Sequence, residues 1–89
     1  MNKILIIEDD ATIRAELKTL LEKYDYLVTA PDDFFEIVNT ALTVMPNLIL
    51  LDLGLPNHDG HHICREIRKS SSVPIIVVIS RNTETDELM

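Results

Sequence analysis

Eighty-nine residues bound the chain to one small domain, able to bury about 60% of the surface its unfolded form exposes. Apolar residues make up 46%, with two Phe, two Tyr and no Trp, so any core must be aliphatic. Fifteen acids against eight bases leave a net charge of -7, which excludes a basic nucleic-acid or anionic-membrane surface on this segment, and a lone Cys64 offers no disulfide framework and suits the reducing cytoplasm.

The chain opens on "KILII" (3–7), a β-branched run too short for a helix and ended by three acids. Only four apolar residues follow Lys3, so the start does not read as a signal peptide, and no window approaches the ~18 apolar residues of a membrane span. From residue 12 to 23, Ile13, Leu17, Leu20 and Leu21 recur at helical spacing, with Asp10 placed as N-cap. "YLVTA" (26–30) reads as a strand closed by Pro31. Residues 32–44 read as a helix capped by Asp32 or Asp33, with Phe34, Ile37, Val38, Ala41 and Leu42 on one face and Phe35 on the surface.

After Pro46, "NLILL" (47–51) is apolar on both faces, the mark of a central parallel strand covered on each side. Residues 61–69 carry Ile63, Cys64 and Ile67 on one helical stripe, with bases at the C-terminal end where the helix dipole favours them. "PIIVVIS" (74–80) is a further strand, and "NTETDELM" opens a last helix. The alternation predicts an α/β fold: right-handed crossovers, a doubly wound parallel sheet, and helices on both faces.

In such sheets ligands sit at the carboxyl ends of the strands. Glu8 and Asp9 follow the first strand directly and Asp52 ends the third, so three carboxylates should meet at one edge. Like charges that close cannot all stay ionised unpaired. A hard cation with oxygen ligands resolves the conflict, and Mg²⁺ suits one or two carboxylates plus waters and a phosphate. The turn after Asp52 lets backbone approach the same point, so the Gly54 carbonyl is a further candidate ligand. A carboxylate beside Mg²⁺ is a nucleophile for phosphoryl transfer. Acids such as Asp32 and Asp33 are solvated caps. His58, His61, His62 and Cys64 are poorly placed for a transition metal, because Gly60 interrupts the helix between His58 and His62.

"IIEDD", the spacing from Asp9 to Asp52, and "LILLDLGLPNHDG" together closely resemble the receiver domain of two-component response regulators. The wording is most like the branch with a winged-helix DNA-binding domain downstream, and the resemblance runs through the whole chain. It implies a flavodoxin-like receiver fold with strand order 2-1-3-4, its fifth strand and last helix missing, so residues 1–89 would be a receiver domain incomplete at the C-terminus. It implies Asp52 as phosphoacceptor and Mg²⁺ held by Glu8, Asp9, Asp52 and the Gly54 carbonyl. A cognate sensor histidine kinase would be the partner, with DNA reached through a domain beyond this segment.

Two departures stand out. No lysine here takes the role of the family's lysine at the end of the fifth strand. The family also has a Thr or Ser at the end of the fourth strand; a gap-free count puts Ile79 there, and a one-residue shift makes Ser80 the hydroxyl.

Three functions compete. The first is a phosphoacceptor switch that speeds its own phosphorylation and dephosphorylation, without being an enzyme on other substrates. The second is a Mg²⁺-dependent aspartyl phosphatase, disfavoured because such enzymes carry Asp-x-Asp and Gly54 stands where the second acid belongs. The third is a pseudo-receiver, an interaction module not controlled by phosphorylation. The first is the reading adopted. Without a fifth strand, strand 75–80 becomes an edge of "IIVVI" with nothing to block pairing, and part of the face of helix 12–23 lacks cover. Self-association, or a swap through that strand, is expected.

Overall fold

The computed structural model of the chain describes residues 2–52 and 60–78. Its elements alternate as β1 (Lys3–Ile7), α1 (Ala11–Lys23), β2 (Leu27–Thr29), α2 (Ile37–Val44), β3 (Leu48–Asp52), α3 (Gly60–Arg68) and β4 (Ile75–Val78). The strands form one parallel sheet in the order β2-β1-β3-β4. Among the described residues no helix is long and apolar enough to cross a membrane.

Successive side chains on a strand point to opposite faces, so the unbroken apolar runs supply two cores at once. Leu5, Ile7, Ile49 and Leu51 are buried on one face against Phe34, against Ile37 and Ala41 of α2, and against Ile63 and Ile67 of α3. Ile4, Ile6 and Val28 face the other way, where Leu17 and Leu21 of α1 pack on them. The sheet is therefore wound on both sides.

The α1 stripe is only partly covered. Leu20 is 49% exposed and no residue of α1 is fully buried. β4 lies at the sheet's end among the described residues, with Ile76, Val77 and Val78 all open to solvent.

Two boundaries depart from the periodicity. α2 starts at Ile37, five residues later than expected. Asp33 does not cap a helix; its carboxylate accepts the Phe35 N–H at 2.9 Å, a local turn that competes with helix. Glu36 then takes φ 58°, in the left-handed region, and the helix begins beyond it. The kink buries Phe34 and leaves Phe35 78% exposed.

β2 starts at Leu27 rather than residue 26 because α1 ends in a Schellman arrangement. Asp25 at φ 68° gives its N–H to Glu22, and the Tyr26 N–H turns back to the Leu21 carbonyl at 3.3 Å. That role usually falls to glycine, so nothing in the sequence flagged it. The remaining ends coincide or differ by one residue, except that residues 79–80 of the expected fourth strand and the final helix lie outside the described residues.

Asp10 caps α1 as expected, its Oδ1 accepting the N–H groups of Thr12 (2.9 Å) and Ile13 (3.0 Å). Asp10→Ala should therefore cost about 1 kcal/mol in denaturant unfolding, with Asp10→Asn close to the parent. Equal stability of parent and Asp10→Ala would show that the cap contributes nothing.

Candidate functional site

The register of the central strands builds the site. Ile7 pairs with Leu51 across β1 and β3, so the next residue on each strand, Glu8 and Asp52, emerges side by side at the carboxyl edge. Both are buried, each with 3% of its surface exposed, while Asp9 is exposed. One carboxylate oxygen from each of the three lies within 4.8 Å of the others. Among the described residues this is the one group of His, Cys, Asp or Glu side chains arranged to hold a metal.

Burial is the main force raising the Glu8 carboxyl, which is pushed up to about 7. The charges on Asp52 and Asp9 add to the rise, as does the proton Glu8 shares in a hydrogen bond with Asp52. The Asp10 N–H, donating to Glu8 Oε2 at 3.0 Å, works the other way. Protonation of Glu8 is thus the metal-free solution to the crowding of like charges. A cation is the other solution. The donor set is all oxygen, which fits a hard divalent ion such as Mg²⁺.

Three carboxylates named from the sequence are brought together. Asp10 stands apart from them as a helix cap, as anticipated. Gly54, Ile79 and Ser80 lie outside the described residues, as do Pro56, His58 and Asp59. His61 and His62 are exposed at the start of α3, and Cys64 packs half-buried against the core. Two surface clefts, of about 300 Å³ beside Leu20 of α1 and about 330 Å³ beside Leu42 and Val73, include none of the three carboxylates.

One residue went unnoticed in the sequence. Arg14, half-buried on α1, donates from Nη1 to the Glu8 carbonyl at 3.0 Å. Its position, four residues past the N-cap and so one turn above it, was the available signal.

A parallel doubly wound sheet with acids massed at the carboxyl ends of its first and third strands defines a receiver-type signalling domain. Residues 4–89 match the response regulator receiver domain model, and the chain belongs to that family. It is 43% identical to the transcriptional regulatory protein YxdJ of Bacillus subtilis over 89 residues, 100% of this chain and 39% of YxdJ. The chain therefore spans about two fifths of that relative's length.

Among solved structures, the N-terminal domain of the nisin resistance regulator NsrR has TM-score 0.85 at 37% identity, covering 100% of this chain and 75% of that one. The Thermotoga maritima response regulator TrrA, solved in complex with Mg²⁺-BeF, has TM-score 0.80 at 26% identity, covering 99% and 77%.

The Glu8 carboxyl carries a pH signature. Its value is raised on folding from 4.5, so the unfolded chain ionises first. Its contribution to stability is full below pH 4.5 and lost as pH rises to about 7. In chelator, the parent should lose stability across that window by an amount on the order of 3 kcal/mol, and Glu8→Gln should lose much less. Parallel curves for the two proteins in urea unfolding between pH 4 and 8 would refute the assignment.

Proposed function

We propose that this domain is the phosphoacceptor switch of a two-component system, phosphorylated on Asp52 by a sensor histidine kinase. The meeting of Glu8, Asp9 and Asp52 at one sheet edge is the observation that carries this reading. Asp52 is the nucleophile. Its carboxylate oxygen forms a bond to phosphorus as the phosphorus–nitrogen bond of a phosphohistidine breaks, and the freed imidazole takes a proton. Glu8, Asp9 and Asp52 would hold Mg²⁺, with the Gly54 carbonyl as the further ligand that the family resemblance implies. The ion supplies neutralisation of charge on the phosphoryl oxygens.

The Mg²⁺-BeF complex of TrrA supports this choice of ion. With the gap-free count Ile79 takes the position of the family's hydroxyl and the site works without one; a one-residue shift would instead give that role to Ser80. The output is transcriptional, as the name of YxdJ suggests, and the family resemblance implies that DNA is reached through a further domain. The cytoplasm, where Cys64 stays reduced, is the matching location.

With Mg²⁺ and a small phosphodonor, the protein should gain one phosphoryl group, and Asp52→Asn should gain none. Intact-mass spectra with equal modification of the two would sink the assignment. A parent that stays unmodified while its fold is intact would favour the pseudo-receiver reading instead.

Self-association belongs to the same proposal. β4 exposes Ile76 by 51%, Val77 by 44% and Val78 by 37%. No charge or proline within Ile75–Val78 blocks pairing. Residues 1–89 should sediment as a dimer or larger species at tens of micromolar. A strictly monomeric, folded species would remove this part of the reading.

A further inference from the structure

The turn from β1 into α1 is fastened more firmly than a three-residue connection needs. Asp10 gives its N–H to Glu8 Oε2 at 3.0 Å, and the Arg14 N–H closes on the Asp10 carbonyl at 2.9 Å. The Arg14 guanidinium then spans back six residues to the Glu8 carbonyl at 3.0 Å. Arg14 thus touches the turn at both ends, through the first backbone bond of the helix at Asp10 and through its side chain at Glu8. Asp9 lies between these two anchored residues, its side chain exposed and its carboxylate one of the three converging oxygens. An exposed carboxylate has many rotamers and little packing to choose among them, so its aim depends on how firmly the backbone beneath it is fixed.

We propose that Arg14 is a positioning residue for the cation site: its hydrogen bond to the Glu8 carbonyl fixes the turn that aims Asp9. The proposal rests on the reading that Glu8, Asp9 and Asp52 hold Mg²⁺. It opposes what charge alone dictates. A guanidinium bonded to the Glu8 carbonyl brings positive charge to the turn that carries the site, so if Arg14 acted only as a charge, removing it would leave Mg²⁺ binding unchanged or tighten it. If Arg14 orients the turn, removing it weakens binding, as loss of partners that orient metal ligands does elsewhere.

The sign of the change decides the matter. Mg²⁺ titration calorimetry on the 89-residue chain, well below its unfolding midpoint, compares the parent with Arg14→Met, Arg14→Lys and Asp9→Ala. Arg14→Met should weaken Mg²⁺ binding by about tenfold. Arg14→Lys keeps a donor for the Glu8 carbonyl and should recover most of the loss. Mg²⁺ affinity in Arg14→Met equal to or tighter than the parent's would overturn the positioning role, whatever happens to its melting temperature. An Arg14→Lys variant as weak as Arg14→Met would overturn the claim that the hydrogen bond to Glu8 is the agent. If the parent binds no Mg²⁺, or Asp9→Ala binds as the parent does, the cation site itself is wrong and the proposal falls with it. A parent that binds Mg²⁺, an Asp9→Ala variant that has lost most of that binding and a weakened Arg14→Met together support both.

Discussion

Two carboxyl groups buried side by side are the constraint on which this domain turns. Glu8 and Asp52 are each 97% covered, and an ionised carboxylate held there without partners is strongly disfavoured. Burial and the neighbouring Asp52 raise the Glu8 carboxyl toward its neutral form, in which it can share a proton with Asp52, and the Asp10 N–H donates to Glu8 Oε2. The same crowding makes the edge receptive to a hard cation.

The scaffold around this point is built to resist that repulsion. The pairing of Ile7 with Leu51 locks the two acids together, since a slip of one residue would send every side chain of a strand to the opposite face. Leu5, Ile7, Ile49 and Leu51 are wholly or almost wholly buried directly beneath. Each such aliphatic side chain contributes about 1.5–3 kcal/mol on burial, so the central strands can carry a charged tip. The periphery is less committed. β4 and the outer face of α1 hold apolar side chains in the open, where they are free to meet other protein surface.

Much of this was legible in the residues. The β-α alternation, the central position of "NLILL" and the joint placement of Glu8, Asp9 and Asp52 follow from periodicity and from the rule that parallel strands share one functional edge. The cap at Asp10 was equally plain, because a short acid before an amphipathic run has one common use. The start of α2 was not. Helical spacing of Phe34, Ile37, Val38 and Ala41 is blind to Asp33 bonding its own chain two residues on, and to Glu36 adopting a positive φ without being glycine. Asp25 hid the end of α1 in the same way.

Sequence by itself determined which three carboxylates share the sheet edge and the order of elements, because local periodicity and the apolar runs encode which faces must be covered. Tertiary structure decided the rest. Only the pairing of β1 with β3 could bring Glu8 and Asp52, distant in the chain, into one hydrogen bond and raise a carboxyl toward neutrality. Only the docking of α1 on the sheet could turn Arg14 back onto the Glu8 carbonyl. Desolvation and long-range pairing depend on what surrounds a residue in space, and a linear pattern records only what precedes and follows it.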